Sequence, residues 1–156
     1  MDKEELYWEW GSKADAPRIL HSMIRVSDLE KSLEFYCTKL GMKVLNRVDI
    51  EAGRFSIVFI SFGEDYYSGA IELTHNWDAS ENIIGYTHGS GYGHIAIGVP
   101  DLWEACERLR ASGVTISVEP KRLLPAAPAL AFIKDPDGYS IELIQTSQRY
   151  QGADHK

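Results

Sequence analysis

The chain has 156 residues, 44% hydrophobic, 11% aromatic and 25% charged, enough for one domain with a substantial core and no need of disulfide staples. Its net charge of -7 excludes nucleic acid and anionic membrane as main partners, because both select for basic surfaces. Two cysteines allow no disulfide framework, the acidic start predicts no secretory leader, and no apolar run reaches membrane length, so a cytoplasmic protein is expected.

Residues 1–17 read as an N-terminal arm in which Tyr7, Trp8 and Trp10 are expected to pack on another surface, such as a second subunit. Ile19 to Val26 predicts a strand, with Leu20 and Ile24 on one face and His21, Met23 and Arg25 on the other. Ser27-Asp28-Leu29-Glu30 fits a capping box with Ser27 as N-cap. Leu29, Leu33, Tyr36, Cys37 and Leu40 then recur at helical spacing, and Gly41 stops the helix. Three strands follow, over Met42 to Val48, Phe55 to Phe62 and Ala70 to Asn76. Phe55, Ile57 and Phe59 share one strand face.

The same order returns. Tyr92 to Val99 predicts a strand, and Asp101 opens a helix whose stripe is Leu102, Ala105, Cys106 and Leu109, closed by Gly113. Val114 to Val118, Ala129 to Ile133 and Tyr139 to Ile144 are strands, the last two joined by the turn Asp135-Pro136-Asp137-Gly138. The stretch 148–156 is a polar tail.

These halves are an internal repeat. His21 precedes Val26, Asp28 and Leu29 at the same offsets, five, seven and eight, at which His94 precedes Val99, Asp101 and Leu102. Ile71-Glu72-Leu73 matches Ile141-Glu142-Leu143, with His-to-Glu separations of 51 and 48 residues. The predicted fold is therefore α+β, a single domain over 18–147 made of two βαβββ modules, 18–77 and 90–147. Pseudo-twofold symmetry would relate them, with open curved sheets face to face.

Taken singly, His21, Glu72, His94 and Glu142 each fit an ordinary strand face. The repeat places all four at equivalent positions, where symmetry would gather them into one mixed nitrogen and oxygen site. Such a set suits divalent Ni, Co, Zn, Mn or Fe rather than Ca²⁺ or thiol-seeking metals. It would leave two open positions on an octahedral ion, where adjacent substrate oxygens can chelate while a carboxylate moves a carbon-bound proton. His75, His88 and His155 read as incidental, and Cys37 and Cys106 as core residues.

Six segments carry a resemblance: Leu20 to Val26, Ser32 to Tyr36, Leu40 to Met42, Ile71 to Trp77, Tyr92 to Ala96 and Asp135 to Leu143. From about Ile19 to Thr146 the chain resembles glyoxalase I (lactoylglutathione lyase) of the vicinal-oxygen-chelate superfamily. The resemblance implies that the methylglyoxal–glutathione hemithioacetal is isomerised to S-lactoylglutathione through a metal-stabilised enediolate. It implies His21, Glu72, His94 and Glu142 as metal ligands, Glu142 as leading base, and Glu72 as base on the opposite face. Arg25 and Asn76 match positions that hold the γ-glutamyl end of glutathione.

Zinc-activated relatives carry a longer insertion than the short loop from Gly63 to Gly69, which favours Ni²⁺ or Co²⁺ with Zn²⁺ as the alternative. The family also implies a homodimer with active sites at the subunit interface and a small-molecule substrate. Leu123-Leu124-Pro125-Ala126-Ala127-Pro128 replaces the Lys-Gly-Gly-like loop that meets the glycyl carboxylate of glutathione, with Lys121 and Arg122 displaced upstream. A different thiol, another metal-dependent reaction on the same fold, or a ligand-sequestering role are the competing readings.

Overall fold

A computed structural model describes residues 17–78 and 85–147, so the aromatics of the arm, the polar tail and His155 lie outside the described residues. The chain divides into two compact units between Tyr86 and Thr87. The first contains β1 (His21–Arg25), α1 (Leu29–Leu33), β2 (Lys43–Ile50), β3 (Phe55–Ser61) and β4 (Ala70–Asn76). The second contains β5 (Ile95–Val99), α2 (Leu102–Ala111), β6 (Thr115–Lys121), β7 (Leu130–Lys134) and β8 (Ser140–Gln145). Both follow the βαβββ order of the repeat.

Each unit forms a four-stranded mixed sheet, in the orders β1-β4-β3-β2 and β5-β8-β7-β6. The first and last strands of each unit pair in parallel, and the remaining neighbours are antiparallel. One face of each sheet is dry: Ile24, Val58, Ile60, Ile71 and Leu73 are buried in the first unit, and Ile97, Ala131, Ile133, Ile141 and Leu143 in the second. Burial of such side chains contributes roughly 1.5–3 kcal/mol each before the cost of ordering them.

The second helix matches its sequence pattern. Asp101 is the N-cap, its carboxylate accepting from Glu104 N at 3.1 Å, and Leu102, Ala105, Cys106 and Leu109 are all buried. Burial pushes the Cys106 thiol up to about 11, as expected of a core cysteine.

The first helix departs from expectation in two ways. Its N-cap is Asp28, not Ser27; Asp28 Oδ1 accepts from Lys31 N at 3.1 Å. Asp28 is the repeat partner of Asp101, and the backbone at both is extended, so the same carboxylate device starts both helices. After Leu33 the helix widens into a π-helical segment, Glu34–Lys39. The wider turn rotates the inner face, so Leu29, Ser32, Phe35 and Tyr36 are buried while Leu33, Cys37 and Leu40 are only partly covered. Gly41 and Gly113 end the two helical regions with φ of +89° and +85°, a conformation that suits glycine.

Two side chains at equivalent positions tie the last strand of each unit to the start of its helix. Gln145, 2% exposed, accepts from Leu102 N through Oε1 at 2.6 Å and donates from Nε2 to Pro100 O at 2.7 Å. Leu102 N is one of the first-turn amides that a helix leaves unpaired. In the first unit His75 takes this place, its Nδ1 donating to Val26 O at 3.2 Å. His75 is therefore a structural latch and not incidental. Gln145→Leu substitutes an apolar side chain of similar size and strands the buried Leu102 amide. Urea unfolding of this variant should show a loss of about 1–3 kcal/mol, the cost of that unsatisfied amide.

Candidate active site

Parallel pairing of first and last strands creates the site chemistry. In the first unit His21 pairs with Ala70 and Met23 with Glu72, so His21 and Glu72 are diagonal neighbours on one face. His21 Nε2 lies 2.9 Å from Glu72 Oε2. Glu72 Oε1 also accepts from Thr74 Oγ1 at 3.0 Å. In the second unit His94 Nε2 lies 3.1 Å from Glu142 Oε2. His94 stands immediately before β5 rather than within a strand, because the ladder with β8 begins at Ile95 and Ile141.

A phenylalanine backs each pair. Phe59 pairs with Glu72 across β3 and β4 and meets the His21 ring edge-on at 5.1 Å. Phe132 pairs with Glu142 across β7 and β8 and meets the His94 ring edge-on at 5.4 Å. Phe59 also packs against Tyr66, whose phenol is pushed up by burial and stays neutral at physiological pH. His21 Nδ1 is buried without a hydrogen-bond partner, so the Glu72 contact and the Phe59 ring set the orientation of that imidazole. Of these two phenylalanines the sequence pattern marks Phe59 alone, on the face it shares with Phe55 and Ile57. The repeat offset of 73 residues that relates His21 to His94 also relates Phe59 to Phe132, and that signal points to the second.

Arg25 and Asn76 repeat the diagonal of the His–Glu pair further along the same strands. Arg25 pairs with Thr74, and Asn76 is two residues beyond on the same face. Asn76 Nδ2 donates to Tyr86 Oη at 3.4 Å. Beyond it, Trp77 Nε1 donates to Ser56 Oγ at 2.8 Å, and Ser56 Oγ donates to Asp49 Oδ1 at 2.6 Å. Arg54 adopts a left-handed φ of 52° and binds Asp78 through two hydrogen bonds of 2.6 and 2.5 Å. These contacts fix the end of β4 that carries Asn76. The positions equivalent to Arg25 and Asn76 in the second unit hold Gly98 and Thr146, so the units share a His–Glu pair but not its polar neighbours.

The donors fit a divalent metal. Cis ligands about 2.1 Å from an octahedral ion lie about 3 Å apart. The two nitrogen–oxygen separations, 2.9 and 3.1 Å, match that spacing. Among the described residues neither unit gathers a third His, Cys, Asp or Glu at its pair. No described helix is long and apolar enough to cross a membrane.

Residues 18–143 match the family model described as the Glyoxalase/Bleomycin resistance protein/Dioxygenase superfamily, and the chain belongs to that superfamily. Within it the chain is a member of the lactoylglutathione lyase family. It is 45% identical over 131 residues to a probable lactoylglutathione lyase of Synechocystis, spanning 84% of this chain and 97% of that relative. It is 47% identical over 128 residues to a lactoylglutathione lyase of Neisseria meningitidis, spanning 82% and 90%. The structure of the trypanothione-dependent glyoxalase I of Leishmania major superposes with a TM-score of 0.72 at 41% identity, covering 83% of this chain and 87% of that one.

Edge contacts between aromatic rings are worth about 0.5–1.5 kcal/mol. Phe132→Leu should therefore lower stability by about 1 kcal/mol, and the His94 ring protons should lose their ring-current shift in the NMR spectrum.

Proposed function

We propose that the chain is a metal-dependent lactoylglutathione lyase, isomerising the methylglyoxal–glutathione hemithioacetal to S-lactoylglutathione. The observation that carries this reading is the duplicated His–Glu pair, with donor spacing suited to a metal in both units. His21, Glu72, His94 and Glu142 form the ligand set in this proposal. A homodimer would complete it at the subunit interface, the first pair of one copy meeting the second pair of the other.

A bound divalent ion supplies Lewis acidity to adjacent substrate oxygens and stabilises the charge that develops on them. The protein's own groups do the rest. Glu142 takes the proton from one substrate carbon and returns it to its neighbour, and Glu72 serves the opposite face. Arg25 and Asn76 lie four residues along the strands from His21 and Glu72, about 13 Å at 3.3 Å per residue. That separation matches the reach from the two reacting carbons of the adduct through cysteine to the γ-glutamyl end. The carboxylate and amino groups there suit a guanidinium and an amide. Phe59 and Phe132 give the substrate's methyl group apolar walls and keep water from the reacting carbons.

Nickel or cobalt is the proposed ion, with zinc the alternative, since nitrogen and oxygen donors admit several divalent metals. Two free cysteines, Cys37 and Cys106, accord with the reducing cytoplasm, which also holds glutathione. A different thiol has one observation in its favour. Arg122, a cation that could meet the glycyl carboxylate, donates to Ala127 O of its own loop at 2.8 Å.

The assay strips the protein of metal, reloads it with Ni²⁺, Co²⁺, Zn²⁺ or Mn²⁺, and follows thioester formation from methylglyoxal and glutathione. Activity should return with at least one ion, and no thioester with any of them would sink the assignment. Glu142→Gln should lower kcat by about 10²-fold or more, the usual contribution of a positioned base.

A further inference from the structure

The two His–Glu pairs are held in place by different means. In the first unit His21 opens β1 and pairs with Ala70, so the backbone ladder fixes this residue directly. The second unit has no ladder partner for His94, since pairing starts one residue later at Ile95. Its side chain is also more exposed, 43% against 28% for His21. Some other contact has to hold the chain at His94 close to Glu142.

Tyr92 makes that contact. Its hydroxyl donates to Ser140 O at 3.0 Å, bridging the segment two residues before His94 to the strand position two residues before Glu142. Ser140 is gripped from the other side, where Lys134 Nζ donates to Ser140 Oγ at 2.6 Å. The turn leading into Ser140 is rigid as well: the buried Asp135 carboxylate accepts from Asp137 N at 2.9 Å and Tyr139 N at 2.8 Å. The Tyr92 ring packs edge-on against Tyr139 at 5.1 Å, and His88 stacks on the other ring of that pair, 4.1 Å from Tyr139 with 13° between planes. His88, read as incidental from the sequence, is thus part of an aromatic cluster. The position equivalent to Tyr92 in the first unit is Ile19, 86% exposed, which has no hydroxyl to donate.

We infer that Tyr92 is a positioning residue for the second His–Glu pair, its hydroxyl replacing the missing backbone pairing and setting the distance between His94 and Glu142. Tyr92 touches neither metal nor substrate in this role. It acts through His94, as residues behind metal ligands do when they fix a ligand's orientation. The inference rests on the reading of His94 and Glu142 as metal ligands.

Tyr92→Phe removes one hydroxyl and keeps the ring packing. Metal-free full-length protein would be titrated with Co²⁺ alone and the dissociation constant read from the visible absorption, with thermal melting in parallel. Tyr92→Phe should weaken Co²⁺ binding by about tenfold, the lower end of the effect of removing such a supporting contact, while the melting temperature shifts by only a few degrees. A lowered melting temperature with unchanged Co²⁺ affinity would mark a purely structural role and overturn the inference, as would a variant identical to the parent in both. His94→Ala serves as the check on the premise. If it binds Co²⁺ as the parent does, the ligand assignment itself fails; if it loses Co²⁺ while Tyr92→Phe keeps full affinity, only the positioning role fails.

Discussion

In each unit the first strand lies hydrogen-bonded and parallel to the last, and the site depends on that pairing. Parallel neighbours cannot be joined by a tight turn, so a helix and two further strands separate them in the chain. The pairing sets a His beside a Glu that is 51 residues away in the first unit and 48 in the second. Because side chains alternate across a strand, a one-residue slip would send the Glu to the dry face. The alternation Ile-Glu-Leu prevents that slip, since Ile71, Leu73, Ile141 and Leu143 are buried opposite the carboxylates. Core formation and site formation are therefore one event.

Duplication supplies the same strand order and the same His–Glu pair twice, and the residues around the two pairs differ. The first unit keeps Arg25 and Asn76 on the donor face, where the second has Gly98 and Thr146. One latch is a histidine and the other a glutamine. Backbone pairing anchors His21, whereas a tyrosine hydroxyl anchors the His94 segment. The strained Arg54 backbone, held by Asp78, shows where further order is invested: at the end of β4 that presents Asn76.

The features legible in the sequence were those with local or repeated causes. Asp101 and the stripe of α2 could be read because a cap and a 3.6-residue period lie within a few residues of one another. The start of the first helix differs from the sequence expectation for an equally local reason: Ser27 and Asp28 are adjacent acceptors, and residue order carries no geometry to choose between them. The π-helical widening over Glu34–Lys39 left no periodic signature long enough to detect. Gln145, His75, Tyr92 and His88 leave no local signal of their roles, because each has a partner distant in sequence. Gln145 reaches back 43 residues to Leu102, and Tyr92 forward 48 to Ser140.

By itself the sequence determined the α+β repeat, the strand faces, the donor types and their equivalence, because periodicity and duplication are properties of residue order. The tertiary structure decided the spacing of each His–Glu pair and the phenylalanine that backs it. It also decided which side chains latch the helices and how differently the two histidines are secured. Those outcomes depend on which backbone groups the sheet ladders leave unpaired, and an unpaired amide or carbonyl exists only once the strands have been set beside one another.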